Sequence, residues 1–250
     1  MLVFVMGRTA AALIIGNEIL SGKTQDANTF ALANELRSLG IELRRVVVVP
    51  DEIDVIAGEV NSLRATHDFL FTSGGVGPTH DDVTIEAVAR ALGRRVVRFP
   101  AVEKLLRDHY RQRTTEGHLR MADLVEGMEL LLPPDGGSWP TFVLGNVFVL
   151  PGVPEIFRLK LGTLRAHLAS GDPAFVLRSV YTRGDEGEIK HWIDEVVGRF
   201  HDVSIGSYPR FRDDDHNVRV TFDGRNAERV AAAASAFVSL LPSSLVVRVD

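Results

Sequence analysis

Cysteine is absent from the 250-residue sequence. Its absence removes a disulfide framework, a thiolate metal site and a cysteine nucleophile together, and it suits a reducing compartment. Blocks of one charge are also missing. Lysine and arginine total 28 against 33 acids, for a net charge of −5, and the nearest approach to a basic run, Arg94, Arg95 and Arg98, reads as a solvated edge. Nucleic-acid binders draw affinity from a basic excess that neutralises phosphates, so no nucleic-acid partner is expected. Long apolar runs are lacking as well. Met1–Met6 is far short of the roughly 20 residues that span a bilayer, and it has neither the charged start nor the cleavage site of a signal peptide. It reads as a ragged extension for which Met6 would serve equally well as the start. No membrane partner is expected, and the expected location is cytoplasmic.

Several catalytic patterns are missing too. The eight histidines show no H-E-x-x-H or other ligand spacing. No lysine stands in the glycine-rich segment, which excludes a Walker A loop, and the glycine spacing is not the dinucleotide fingerprint. Ser73 has no accompanying His/Asp pattern of the triad kind.

What is present is an alternation of strand-like and helix-like segments. Thr9–Ile15 is short and apolar and ends at Gly16, as a buried strand does. Asn28–Leu39 carries Ala31, Leu32, Leu36 and Leu39 on one face, with Gly40 as a stop. Ile41–Val49 is β-branched. Ile53–Leu63 repeats apolar residues at helical spacing. Phe69–Thr72 is a strand, and Val83–Leu92 a helix closed by Gly93. This order predicts an α/β fold: a three-layer, mostly parallel sheet with helices on both faces. Pro100–Arg113 reads as helix and Thr114–Ser138 as irregular. Phe142–Leu144 and Val147–Leu150 flank Gly145-Asn146 as a tight hairpin, and Glu155–Leu168 is a helix. Ser170-Gly171-Asp172-Pro173 is the candidate linker. Residues 1–170 are therefore expected to form one domain. Residues 171–250 form a second, smaller α+β domain with strands at Phe175–Tyr181, Val203–Tyr208, Val218–Phe222 and Leu245–Val249, and helices at Glu186–Phe200 and Ala227–Leu240.

Chemistry concentrates in Ser73–Asp82, where three glycines follow a buried strand and precede a helix. Ligands of open α/β sheets sit beyond the carboxyl ends of the strands. Glycines there let backbone N–H groups approach phosphate oxygens, and the helix N-terminus adds positive potential. Ser73, Gly74, Gly75, Gly77 and Thr79 are the candidate phosphate-binding residues, and His80 is placed to touch a ligand. Asp81 and Asp82 either cap the helix or hold a divalent ion beside the phosphate, as Mg²⁺ prefers. Gly16–Asn28 should emerge on the same sheet edge, offering Gly16, Glu18, Ser21, Thr24 and Asn28 as polar contacts. Asp51, after the second strand, is a helix cap or a functional acid. Gly152, in the Pro151–Pro154 turn, leaves room for a ligand. His191 and His201 read as surface residues.

These segments bring a resemblance into view. Ser73–Thr84 resembles the G-G-x-G-P-T-x-D-D-x-T signature of the N-terminal domain of competence/damage-inducible protein A (CinA), within the molybdopterin-binding superfamily of MoaB, Mog and gephyrin-like proteins. Gly16–Gly22 is similar to its G-x-E-[IL]-L-x-G, and Pro151–Pro154 to its P-G-x-P. Gly206–Pro209 resembles a segment of the small second domain of the same family. The N-terminal molybdopterin-binding-like domain of eukaryotic FAD synthases is similar at Thr24–Asn28 (T-Q-D-x-N), Val48–Glu52 (V-V-P-D-E) and Gly77–Thr84 (G-P-T-H-D-D-V-T). The likeness runs from Thr9 to Asp250. It departs from the Mog type, which has G-G-T-G and R-D where this chain has Gly-Gly-Val-Gly and His80-Asp81-Asp82.

The resemblance implies metal-dependent hydrolysis of the pyrophosphate of ADP-ribose or FAD, with Asp82 and Asp51 as catalytic acids and Asp81 and Asp82 as ligands to Mg, Mn or Co. It equally implies a molybdopterin-binding protein or an adenylyltransferase of molybdenum cofactor biosynthesis. A third reading is a non-catalytic nucleotide sensor. The partners implied are a small nucleotide or pterin and further copies of the chain, as a dimer or trimer. The chain ends before the amidase domain of CinA and the synthase domain of FAD synthases, so neither of those activities is expected.

Overall fold

The computed structural model describes residues 7–210 and 215–250. The apolar run Met1–Met6 lies outside them. The chain divides into two compact units that part between Asp172 and Pro173.

In the first unit, β1 (Thr9–Ile15), α1 (Asn17–Leu20), α2 (Asn28–Ser38), β2 (Glu42–Val49), α3 (Ile53–Thr66), β3 (Phe69–Ser73) and α4 (Thr84–Leu92) follow in order. They are succeeded by β4 (Val96–Arg98), α5 (Pro100–Tyr110), α6 (Glu116–Arg120), β5 (Asp123–Val125), β6 (Glu129–Leu131), β7 (Thr141–Leu144), β8 (Val147–Leu150) and α7 (Pro154–Leu168). One six-stranded sheet runs β2-β1-β3-β8-β7-β6. Its first four strands are parallel and its last two antiparallel. The α/β three-layer expectation is borne out.

Why β1 sits inside the sheet follows from its residues. A strand covered on both faces must be apolar on both, and Ala10 through Ile15 are all buried. Ala11, Leu13 and Ile15 face a layer with Ile56, Val60 and Leu63 of α3, Val88 of α4 and Leu106 of α5. Ala10, Ala12 and Ile14 face Leu32 and Leu36 of α2 and Phe157 and Leu164 of α7. Phe71 and Phe148, on neighbouring strands, stack at 4.9 Å within that second layer. The β7–β8 hairpin turns on Gly145, whose φ of 60° suits the first central position of a two-residue turn. Asn146 then donates to the carbonyls of Arg64 (2.9 Å) and His67 (3.1 Å) and ties the turn to the end of α3.

The stretch expected to be irregular, Thr114–Ser138, instead holds α6, β5 and β6. Each element is at most five residues long, too short to show a period. Their partners are distant in sequence: β5 pairs with β4, and β6 with β7. Of the arginines read as a solvated edge, Arg94 and Arg95 are exposed, and Arg95 and Arg98 make ion pairs beside that pairing. Arg95 binds Glu126 at 2.6 Å, and Arg98 binds Asp123 and Glu116, which holds its guanidinium charged. The helix expected over Pro100–Arg113 breaks at Tyr110, where Arg111 takes a φ of 52° and opens a single 3-10 turn.

The second unit comprises β9 (Val176–Thr182), α8 (Glu186–Arg199), β10 (Ser204–Pro209), β11 (Val218–Gly224), α9 (Ala227–Leu240) and β12 (Val246–Val249). Its sheet, β10-β11-β9-β12, is antiparallel throughout. Val180, Val220 and Phe222 pack against Ile189 of α8 and Val230 and Phe237 of α9. Asp185 and Asn226 cap the two helices by accepting from Glu188 N (2.9 Å) and Arg229 N (3.1 Å). No helix among the described residues is long and apolar enough to cross a membrane.

The core of the first unit holds a titratable group. Lys160 of α7 is 9% exposed and donates to the carbonyls of Trp139 (2.7 Å) and Pro140 (2.9 Å). Burial pulls its pKa from 10.5 to about 8. The unfolded chain therefore binds a proton that the folded chain has released between those values, so folding stability rises with pH across that window. The melting temperature of the wild type relative to Lys160→Met is expected to climb from about pH 8 to about pH 10.5 and to be flat below about pH 7. Melting curves across that range check it.

Candidate functional site

Four parallel strands deliver four loops to one edge of the first unit. Hydrogen bonds knit the loops together. Gly16 N donates to Val49 O (3.1 Å) and Gly74 N to Leu150 O (3.2 Å), extending the ladder past the strand ends. Asn17 N donates to Asp51 Oδ2 (2.8 Å), tying the loop after β1 to the loop after β2. Asn28, buried at the start of α2, donates through Nδ2 to Ser73 Oγ (2.9 Å) and Gly152 O (2.8 Å). The expected residues Gly16, Asp51, Ser73, Gly74, Asn28 and Gly152 are thus brought together.

Glycine is dictated at Gly74 by space. Its φ is 108°, and a Cβ there would lie 2.2 Å from the carbonyl oxygen of Ile15. Gly152 also comes close, since its Cβ would stand 3.2 Å from Gly74 Cα. Three backbones therefore meet with no side chain between them. A hydroxyl then fixes the next step of the loop: Thr84, fully buried, donates from Oγ1 to Gly74 O (2.8 Å).

Asp82 organises the rest of the loop. It accepts from Gly77 N (2.7 Å), Thr79 N (2.8 Å) and the Thr79 hydroxyl (2.5 Å), so both its oxygens turn inward. Neither Asp81 nor Asp82 caps α4, whose N-cap is Val83 and has no side-chain bond. Asp51 likewise does not cap α3, whose N-cap is Glu52. The capping readings of these three acids give way to ties across and within loops. Asp81 lies 2.6 Å from the same Thr79 hydroxyl, whose single proton the two carboxylates share, and that contact holds the Asp81 carboxyl below the usual range. It remains 59% exposed at the side chain, and His80, 3.8 Å away, is 98% exposed. Glu18 is exposed beside Gly16, and Ser21 makes only a local 3.4 Å bond to Glu18 O.

Arg120, at the end of α6, is the residue that joins this candidate site without a sequence signal. It donates to Thr79 O (2.9 Å) and Asp82 O (3.3 Å) and pairs with Glu86 (3.2 Å). With Gly75, Val76, Gly77, Asp82 and Phe142 it lines a cleft under the loop. The loop is thereby held from inside by a carboxylate and from outside by a guanidinium. No group of three or more metal-ligating side chains occurs among the described residues. The donor set is one exposed carboxylate, Asp81, beside a committed one. It fits a divalent ion that arrives with a phosphate and completes its shell with phosphate oxygens and water.

Two substitutions test this geometry. Gly74→Ala is expected to cost about 2–4 kcal/mol in folding stability, measured by denaturant titration, because positive φ and a backbone clash coincide. Arg120→Ala is expected to leave the fold intact while hydrogen exchange accelerates at least tenfold at the amides of Gly77 and Thr79.

Residues 11–166 match the family described as "Probable molybdopterin binding domain", and residues 174–250 match "FAD synthase, middle domain". A protein of Archaeoglobus fulgidus is 34% identical over 227 residues, spanning 91% of this chain and 95% of its own length. A "Probable FAD synthase" of Caenorhabditis briggsae is 30% identical over 268 residues, covering 96% of this chain and 50% of that protein. The chain thus spans about half the length of that relative. Among solved structures, the protein CinA of Thermoplasma acidophilum, described as of unknown function, superposes with a TM-score of 0.59 at 30% identity, covering 64% of this chain and 98% of its own. The glycine-rich loop, the sheet that presents it and these matches agree: the chain belongs to the CinA-like, probable molybdopterin-binding domain family.

Proposed function

We propose that the Ser73–Thr84 loop binds the diphosphate of a nucleotide and that the chain hydrolyses it, with ADP-ribose or FAD as substrate. The observation that carries this reading is the inward carboxylate of Asp82. It takes up the Gly77 and Thr79 amides and shapes the loop without occupying its outer face. Glycines at 74, 75 and 77 let the loop pack this tightly on Ile15, Thr84 and Asp82, and the loop N–H groups taken neither by Asp82 nor by the strand ladder are the ones a phosphate would use. Loop amides and the N-terminus of α4 then stabilise charge developing on the attacked phosphoryl group. Asp81 would hold a divalent ion, which would neutralise phosphate charge. Asp51 and Glu18, on neighbouring loops, are the carboxylates available to orient or deprotonate water. AMP and a sugar or flavin phosphate would be the products.

A second reading is supported by the family match over residues 11–166: the same loop holds a molybdopterin phosphate without turning it over. One experiment separates the two. Purified protein is incubated with ADP-ribose, FAD and NAD in Mg²⁺, Mn²⁺, Co²⁺ or EDTA, and AMP release is followed by HPLC. Metal-dependent AMP is expected, falling about 100-fold or more in Asp82→Asn, the loss typical of disordering preorganised donors. AMP release undiminished in that variant would overturn the assignment. No AMP from any substrate would transfer the site to pterin binding or to a non-catalytic nucleotide sensor.

A further inference from the structure

A hollow at the C-terminal end of α5 lies outside the loops just described. Its wall is formed by Asp108, His109, Tyr110, Arg111, Gln112 and Arg113. The charges around it are mostly spent: Lys104 pairs with Asp108 (2.6 Å), Arg107 with Glu103 (2.6 Å), and Glu116 with Arg98 (3.3 Å). Arg111 and Arg113 are exposed and have no ion-pair partner among the described residues. In a chain of net charge −5, these two uncommitted guanidiniums, two positions apart, leave positive charge on the wall of the hollow.

The backbone beneath them is strained. Arg111 has φ 52° and ψ −123°, and it is the non-glycine residue with positive φ among the described residues. That region is glycine territory, and its occupation by a cationic side chain marks a position where the side chain matters. The strained residue opens the 3-10 turn Arg111–Arg113, which is locked as Thr114 donates from N (3.1 Å) and Oγ1 (2.7 Å) to Arg111 O. Two planar rings, His109 and Tyr110, share the wall of the hollow with the two arginines. Tyr110 stacks in parallel on His118 at 3.8 Å, and His109 stands edge-on to Tyr110 (4.8 Å) and to Trp139 (5.5 Å). Thr115 holds His118 in a capping box. Trp139 keeps 40% of its surface exposed.

We propose that this hollow is a second ligand site, for a nucleoside monophosphate, with the phosphate on Arg111 and Arg113 and the base against the exposed ring of His109, which Trp139 adjoins. Guanidiniums beside an aromatic cluster match a phosphate joined to a planar heterocycle. An acidic peptide would use the charges and leave the rings without a role. The assignment is independent of what the glycine-rich loop does.

Trp139 is the reporter. The sequence has two tryptophans, so Trp192→Phe leaves Trp139 alone. Its emission is expected to change saturably with AMP, with a Kd at least tenfold lower than for adenosine or for inorganic phosphate. Adding Arg111→Gly and Arg113→Ala is expected to raise that Kd tenfold or more. Glycine keeps the positive φ, so this variant folds and the loss reports charge. Asp82→Asn in the same background is expected to leave the AMP titration unchanged, which separates this site from the loop. No change with AMP, a change that survives the arginine substitutions, or one abolished by Asp82→Asn would overturn the proposal. Inorganic phosphate binding as tightly as AMP would overturn the base contact, and competition by an acidic peptide of equal affinity would overturn the nucleotide.

Discussion

A carboxylate turned back on its own loop is the contact on which the site depends. Asp82 accepts from Gly77 N, Thr79 N and the Thr79 hydroxyl. Charge-assisted bonds to backbone amides are among the stronger hydrogen bonds a protein makes. Here they do the work that a helix or strand would do elsewhere: they give an irregular segment one conformation. Everything outside the loop respects that shape. Arg120 answers the carboxylate from the far side, Thr84 locks the entry of the loop, and Gly152 stays bare so that Gly74 can pass.

The same contact explains why acids are not a contradiction next to a loop proposed to bind an anion. Two adjacent carboxylates would repel a phosphate if both faced outward. Asp82 faces inward with its lone pairs occupied, and Asp81 alone faces solvent. The electrostatics seen by a ligand are therefore those of loop amides, one exposed acid and the N-terminus of α4. A cation that comes with the ligand needs no preformed cage in such a setting.

Much of the architecture was legible because its signals are local. Runs such as Thr9–Ile15 and Ile53–Leu63 carry their period within a few residues, and Gly93 and Gly145 mark ends by backbone conformation. What was not legible depends on distant partners. β4 and β5 are three residues each and become strands only by pairing with one another. The glycine-rich loop and the residues gathered around it were marked in sequence, but the purpose of the acids was not. A capping pattern and a loop tie look alike until the acceptor's partners are known, as Asp51 shows by reaching Asn17 N on another loop. Arg120 could not have been found at all, since nothing in Glu116–Arg120 announces a contact with a loop 38 to 41 positions earlier.

That separation bears on the order in which the molecule comes into being. The glycine-rich segment looks like a self-contained motif, yet its shape is closed by chain made much later: Arg120 first, and then Gly152, which Asn28 reaches across 124 positions. Such contacts form only after the intervening chain has been gathered in, and closing long loops is entropically costly. A nascent chain that has just completed β3 and α4 already holds every glycine and both aspartates of the motif. It still lacks the guanidinium and the bare backbone that set the loop's form. The motif is written early in the polypeptide and becomes competent late, when β8 joins the sheet.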